Sequence, residues 1–246
     1  MSFYNILILQ LIGHVLADFI FQNDKWVQER QRLQFRSKVL YWHTLIIFLL
    51  SWILSWQLKF VYFSIAIAIS HFILDGFKMQ LSNITIAKNK LFKKGYFFID
   101  QGIHLIIIAA VTYWFNHKYC TINCYQINVE TKHLLIAFGY ILCLKPANII
   151  IKEVLSLYNI SIDNKPDTDL LNAGKLIGNI ERILTLTLIL FNQFSVVGFI
   201  IAAKSIIRFK DTDKPKTEYV LIGSLLSFGI AILIGIGIEF LKINLK

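Results

Sequence analysis

Charged residues are scarce in this chain. They make up 16% of its 246 residues, against roughly 25% in an ordinary soluble domain. Hydrophobic residues make up 56%, and the mean hydropathy is +0.60. A soluble fold of this length cannot bury so much apolar surface, whereas a bilayer accepts it because lipid is itself an apolar solvent. The composition predicts an all-α, polytopic membrane helix bundle and excludes an ordinary soluble domain.

Cysteine and proline are also scarce, with three of each. Cys120 and Cys124 share one polar gap, where a disulfide is conceivable, although so short a pairing is often strained. No second cysteine pair completes a thiolate zinc site, and Cys143 is expected to pack as a small apolar residue. The sequence contains no low-complexity linker and no convincing internal repeat.

The first apolar run lacks the basic segment that opens a cleavable signal peptide. The run itself contains His14 and Asp18, which a signal core does not carry. We therefore expect residues 5–21 to form a first membrane span that is retained.

The net charge of +10 is concentrated in three gaps between apolar runs, at residues 22–38, 78–95 and 204–216. Such gaps are typical of cytoplasmic loops under the positive-inside rule, and they can contact anionic lipid head groups. This distribution predicts a multi-pass protein of the bacterial inner membrane with its N-terminus outside. Membrane lipids are the expected partners, nucleic acid is not, and homo-oligomerisation is left open.

Eight apolar runs follow one another along the chain, most of them near the ~20 residues that a span needs. They cover residues 5–21, 39–57, 60–77, 96–116, 133–158, 176–193, 195–207 and 218–241. Lys145-Pro146 interrupts the fifth run, and the seventh is short enough to be a tilted span, a re-entrant segment or an interfacial helix. The runs predict about seven or eight helices. These form a four-helix domain over residues 1–118 and a three- to four-helix region over residues 133–246.

Histidine, aspartate and glutamine recur in the first four runs. The residues are His14, Asp18, Gln22, His43, His71, Asp75, Asp100, Gln101 and His104. Three His/Asp pairs are spaced four residues apart, which places both members on one helix face. An imidazole and a carboxylate so placed can share a metal ion, or one can orient the other.

The topology drawn from the basic gaps brings all these residues to the cytoplasmic end of their helices. A carboxylate in the hydrocarbon region costs about 2.5–3.5 kcal/mol on insertion scales, and a divalent cation would offset that cost. Satisfied polar pairs that fix helix packing are one alternative, and a proton or ion relay is another. The coincidence in depth favours a metal site with one or two ions, and zinc is the preferred ion.

The pattern His14-x3-Asp18-x3-Gln22, then His43, then His71-x3-Asp75, then Asp100-Gln101-x2-His104 resembles a bacterial membrane family of unknown function. More distantly, it is similar to inner-membrane proteins classed as SOS-regulated metal-dependent hydrolases, which repeat a His-x3-Asp motif in membrane helices. The resemblance covers residues 1 to about 115 and implies a metal-dependent hydrolase.

The leading functional hypothesis is a hydrolase of a lipid or lipid-linked phosphoester at the cytoplasmic face. The expected metal ligands are His14, Asp18, His71, Asp75, Asp100 and His104, supported by Gln22 and Gln101. Asp18 or Asp100 would act as general base, and His43 would bind metal or protonate the leaving group. Expected anion-binding residues are Lys78, Arg182, Lys204 and Arg208.

Other classes stay open. An ion-coupled transporter or cation carrier would use the same cluster as its cation site, although no inverted repeat is visible. A non-catalytic membrane sensor or effector is a further alternative, as is a haem protein, although the carboxylates suit harder metals better. In the second half, Glu181 and Arg182 within an apolar flank suggest an ion pair between these two neighbours.

Overall fold

The computed structural model describes residues 2–84, 90–119, 129–158, 168–208 and 214–244. Within these ranges the chain forms ten α-helices and no β-strand. The helices are α1 (Phe3–Val15), α2 (Asp24–Leu33), α3 (Lys38–Ser55), α4 (Val61–Ile84), α5 (Lys90–Tyr119), α6 (Thr131–Cys143), α7 (Lys145–Leu157), α8 (Thr168–Leu190), α9 (Phe194–Arg208) and α10 (Lys214–Asn244). The all-α class predicted from composition is therefore confirmed.

The predicted count of seven or eight helices is wrong, since the described part of the chain contains ten. One addition is α2, which lies in the basic segment that looked like a loop. Asn23 caps it, because the Asn23 side chain accepts a hydrogen bond from the Trp26 amide at 2.8 Å. The other addition arises where the fifth apolar run divides into α6 and α7, bent by 50°. Pro146 lies in the first turn of α7, where its missing N–H costs least.

Five helices among the described residues are long and apolar enough to cross a membrane, or six if α6 and α7 together form one span. The outer surface agrees with this composition. Large apolar side chains such as Ile53, Ile69 and Leu233 are exposed, whereas polar side chains such as Gln10 and His43 are buried. Polar groups inside and apolar groups outside are typical of helices that face lipid.

The chain divides into two compact units, Met1–Leu134 and Leu135–Lys246. In the first unit, α1 packs against α3 and α5, and α4 packs against the same two helices. Along the chain, the four helices of this bundle, α1, α3, α4 and α5, alternate in direction. One end of the bundle therefore contains the end of α1, the start of α3, the end of α4 and the start of α5.

Aromatic packing fills the opposite end of the first unit. Phe60, in the turn just before α4, lies edge-on to Phe115 near the end of α5, with 4.9 Å between ring centroids. Both side chains are almost fully buried, together with Ile6 and Ile47. Burial of such side chains contributes about 1.5–3 kcal/mol each, so this apolar end stabilises the bundle and leaves the other end available to polar residues.

The segment between α2 and α3 is anchored by Phe35, whose ring lies against Gly76 of α4. A Cβ atom at Gly76 would come within 2.0 Å of the ring, so only glycine fits there. Phe35 also contacts Phe72 and Phe77, with centroids 5.7 and 6.3 Å away. Gln34, which ends α2, has a φ of 51° and a ψ of −131°. Glycine adopts this backbone conformation easily, whereas for other residues it costs of order 1–3 kcal/mol of stability. This packing holds α2 beside the polar end of α4.

In the second unit, α10 packs against α7, α8 and α9. Two glycines allow close approach there. A Cβ atom at Gly139 would lie 2.5 Å from Ile238, and one at Gly235 would lie 2.7 Å from Ile189. Small residues at such crossings let backbones pack tightly where lipid provides no hydrophobic drive for association.

Candidate metal centre

Four elements of the first unit bring their histidines and aspartates together. Asp18 lies in a π-helical turn, Leu16–Ile20, that continues α1 and is closed by a bond from the Phe21 amide to the Leu16 carbonyl at 2.9 Å. His43 comes from the start of α3, and His71 from α4. π-helical turns are rare overall, and many of those known lie at functional sites. This turn therefore suggests a functional role for the end of α1.

The centre of the cluster is a triangle of three atoms. Asp18 Oδ1 lies 3.3 Å from His43 Nε2 and 3.3 Å from His71 Nε2, and the two imidazole nitrogens are 3.3 Å apart. Asp75 Oδ2 lies 3.7 Å from each of these nitrogens. Ligands at 2.0–2.1 Å from a tetrahedral zinc ion are separated by roughly 3.3 Å, so the triangle has the spacing of a metal's donor set.

Three groups of side chains in the described residues are close enough to hold an ion. They are His14 with Asp18 and His71, His43 with His71 and Asp75, and Asp75 with Asp100 and His104. Because they share His71 and Asp75, they form one continuous cluster. All six ligands expected from sequence belong to it, and so does His43.

Gln101 orients His14. The Gln101 amide nitrogen donates to Asp18 Oδ2 at 3.4 Å, which turns its oxygen towards His14 Nε2 at 3.2 Å. His14 then carries its proton on Nε2 and leaves the Nδ1 lone pair free. That Nδ1 atom is buried, has no hydrogen bond within the described part of the chain, and lies 3.9 Å from Asp18 Oδ1.

His104 is oriented by its own helix. Its Nδ1 atom donates to the Asp100 carbonyl at 2.8 Å, so the lone pair resides on Nε2. His104 Nε2 is buried without a hydrogen-bond partner among the described residues. Asp18 Oδ1 is also buried, and its two imidazole neighbours at 3.3 Å lack the geometry of a hydrogen bond. Buried polar atoms are nearly always paired. Three such atoms in one cluster, on residues that ligate metals, fit a bound cation.

Two cations border the cluster. Arg30 Nη1 of α2 lies 2.6 Å from Asp75 Oδ2, and Lys78 Nζ of α4 lies 2.5 Å from Asp100 Oδ2. Sequence reasoning assigned Arg30 to a cytoplasmic loop and did not expect it at the site. An asparagine cap followed by a polar helix was the available signal. Lys78, expected to bind an anion, is paired with Asp100.

The supporting and anion-binding residues lie in different places. Gln22 Nε2 is 3.2 Å from His43 Nδ1, so the hydrogen bond from this amide influences which ring nitrogen of His43 carries the proton. Arg182 and Lys204 belong to the second unit. The expected pair between Glu181 and Arg182 is not formed, because Glu181 pairs with Lys204. The side chain of Arg208 lies outside the described residues, as do Cys120 and Cys124.

Replacing Gln101 with Leu tests the orienting role of its amide. We expect metal affinity to fall by about 10–100-fold, since outer partners of metal ligands typically contribute this much. Calorimetric titration of the purified protein with zinc measures the change. Gly102→Ala, at the next position on α5 where a Cβ meets nothing within 4 Å, is the matched control. Equal affinity in Gln101→Leu and the control would contradict the assignment.

Together these features define a helical protein with several helices apolar enough to cross a membrane and a buried histidine–aspartate centre at one end of its first unit. The chain belongs to the family described as Protein of unknown function (DUF3307), whose model matches residues 6–131. The matched range contains all of the candidate metal ligands. No curated protein and no solved structure matches the chain.

Proposed function

We propose that this protein is a metal-dependent hydrolase of the bacterial inner membrane that acts on a lipid or lipid-linked phosphoester. The observation that carries the proposal is the triangle of Asp18 Oδ1, His43 Nε2 and His71 Nε2, with sides of 3.3 Å. The motif resemblance to inner-membrane metal-dependent hydrolases supports the same class.

The donor set favours zinc, because imidazole and carboxylate together suit a borderline metal. His43 and His71 with Asp18 and Asp75 would hold one ion, and the free lone pairs of His14 and His104 would complete this site or a second one. A divalent ion held there would supply Lewis-acid chemistry, polarising the phosphoester and making water more acidic.

Asp100 is the preferred general base. Its carboxylate lies beside His104 and 2.5 Å from Nζ of Lys78, whose side chain is 33% exposed, so this side of the cluster lies close to the surface. A positioned base of this kind typically contributes 10²–10⁴-fold in rate. Asp18 and His43, the other catalytic candidates from sequence, lie in the triangle and are better placed to bind the ion.

The charge of the site favours an anionic substrate. Asp18, Asp75 and Asp100 supply three negative charges, and Arg30 and Lys78 supply two positive ones. With neutral histidines the sum is −1, and one divalent ion changes it to +1. A phosphodiester, with a single negative charge, then neutralises the site. The predicted topology, with the N-terminus outside, opens the site near the cytoplasmic head groups.

Turnover of lipid phosphoesters tests the proposal. The detergent-purified protein, supplied with zinc, is expected to hydrolyse a phosphodiester or phosphomonoester lipid, with release followed by mass spectrometry. Asp100→Asn should reduce the rate by about 10²-fold or more. His117→Ala removes an exposed histidine from the far end of α5 and should leave the rate unchanged. A zinc-loaded protein that turns over no phosphoester lipid would contradict hydrolase activity.

A cation carrier is the second candidate, and polar residues along α1 favour it. Asn5, Gln10 and His14 are all buried on this helix. Gln10 donates to the Ser51 carbonyl at 2.9 Å, and Ser51 Oγ lies 3.1 Å from Ser64 Oγ. Buried polar residues in sequence along a membrane helix are typical of ion pathways. Zinc uptake into proteoliposomes, measured without any lipid turnover, would favour the carrier. A sensor or effector role stays a prediction from sequence.

A further inference from the structure

The second unit contains a buried arginine that the histidine–aspartate centre does not use. Arg182 of α8 is 1% exposed. Its Nε donates to the Cys143 carbonyl at 2.7 Å and its Nη1 to Ser227 Oγ at 2.7 Å. Its Nη2 donates to Asn148 Oδ1 at 2.6 Å and to Asn179 Oδ1 at 2.7 Å. The guanidinium therefore draws together α6, α7, α8 and α10.

All four partners of Arg182 are neutral. Among the side chains that the structure describes, no carboxylate lies within ion-pair distance of the guanidinium, and neighbouring Glu181 pairs with Lys204 instead. Arginine stays charged in proteins, and a buried charge without a counter-charge is costly. The surrounding dipoles solvate the cation, yet one net positive charge remains at the centre of the unit.

Arg182 and the side chains around it still carry hydrogen-bond donors that have no acceptor among the described residues. Four of the five guanidinium N–H groups are used, which leaves one on Nη1. The Asn179 amide nitrogen donates to no acceptor in the described ranges, since Asn179 acts only through its oxygen. Ser227 accepts from Arg182 and keeps its own hydroxyl proton to donate. These donors suit an oxyanion.

Gly178 packs directly against the same edge of the guanidinium. It lies one turn before Arg182 on α8, and a Cβ atom there would be 3.2 Å from Nη1. Gly178, Asn148 and Asn179 are all partly exposed, so this edge of the guanidinium lies one residue beneath the surface. A methyl group at Gly178 would cover this edge of the guanidinium and press against Nη1.

A structural role accounts for only part of the arrangement. The α6–α7 break leaves the Cys143 carbonyl without a helical partner, and the Nε donor of Arg182 satisfies it. That single bond needs neither the two asparagines nor the glycine against which the guanidinium packs.

We propose that Arg182, Asn148, Asn179 and Ser227 form a binding site for a singly charged oxyanion of the phosphodiester type. The occupant is either the head group of an anionic lipid or a soluble phosphodiester. The site is independent of the histidine–aspartate centre and of the proposed hydrolase activity.

Thermal stability of the full-length protein tests this site with two probes. One is phosphatidylglycerol in phosphatidylcholine nanodiscs, and the other is soluble dimethyl phosphate. We expect stabilisation by at least the lipid probe, with half-saturation shifted by about tenfold or more in Gly178→Ala and the response lost in Arg182→Gln. Zinc content should not change in either variant, which separates this result from failure of the hydrolase proposal.

Lys175→Gln is the matched control, because it removes one positive charge from an exposed position of α8. It should keep the wild-type response. Stabilisation by both probes identifies the phosphodiester group as the ligand, and stabilisation by the lipid alone identifies the head group. If neither probe stabilises the wild type, or if Gly178→Ala responds as the wild type does, the site is refuted and Arg182 is purely structural. Gly178→Ala keeps the guanidinium and requires it to move by only a few tenths of an ångström, so this test does not depend on the folding of Arg182→Gln.

Discussion

His71→Ala is expected to abolish stoichiometric metal binding. His71 belongs to two of the three possible ligand groups, and its Nε2 atom contacts Asp18, His43 and Asp75 at 3.3–3.7 Å. Loss of an orienting partner alone costs 10–100-fold in affinity, so loss of a shared ligand should weaken binding by more than about 100-fold. Elemental analysis of the detergent-purified protein, before and after dialysis against zinc, measures the effect.

Two comparisons make this result specific. His117→Ala removes a histidine that is exposed on α5, and it should keep the wild-type metal content. Asp18→Ala/Asp75→Ala should lose the metal as His71→Ala does. If the wild type binds no metal, or if His71→Ala retains it at full stoichiometry, the cluster is a set of packed polar pairs instead of a metal centre.

Gly76→Ala is expected to release the segment around α2 from the bundle. The new methyl would lie 2.0 Å from the Phe35 ring, so the ring must leave its place against α4. Overpacking of this kind costs about 1–3 kcal/mol, and Arg30 would lose its support beside Asp75. Thermal unfolding should show lower stability, and limited trypsin digestion should cleave faster at Arg30 and Arg32.

Gly102→Ala is the control for helix propensity. No atom lies within 4 Å of a Cβ there, so alanine should leave stability unchanged or raise it by up to about 1 kcal/mol. In a chain that already carries Phe35→Ala, the further change Gly76→Ala should cost less stability than it does in the wild type, because the ring it would displace is absent. Additive losses in this double variant would show that the two residues do not meet.

Much of the candidate centre could be predicted from spacing. His14 with Asp18, His71 with Asp75, and Asp100 with His104 are each four residues apart, and helix geometry places such pairs on one face. Alternating helix direction then brings the faces to one end of the bundle. Four helices of the first unit, α1, α3, α4 and α5, were predictable because apolar runs of the right length mark them, whereas α2 was not.

Other features depend on tertiary contacts that spacing does not encode. Arg30 reaches Asp75 only because Phe35 fits against Gly76 and holds α2 beside α4. Glu181 and Arg182 were expected to pair because they are adjacent, but neighbours on a helix point in different directions. Glu181 therefore pairs with Lys204, while the side chain of Arg182 is buried in the interior of the second unit.

The π-helical turn at Leu16–Ile20 makes the length of α1 part of the site. Removal of Leu16 or Ala17 from this turn would restore a regular helix and rotate Asp18 and Gln22 by about 100° relative to His14. No side chain of the centre would be lost, yet the carboxylate would leave the triangle. Among related chains, a one-residue gap at this point would mark a protein that keeps the histidines and aspartates but no longer brings them together in one cluster.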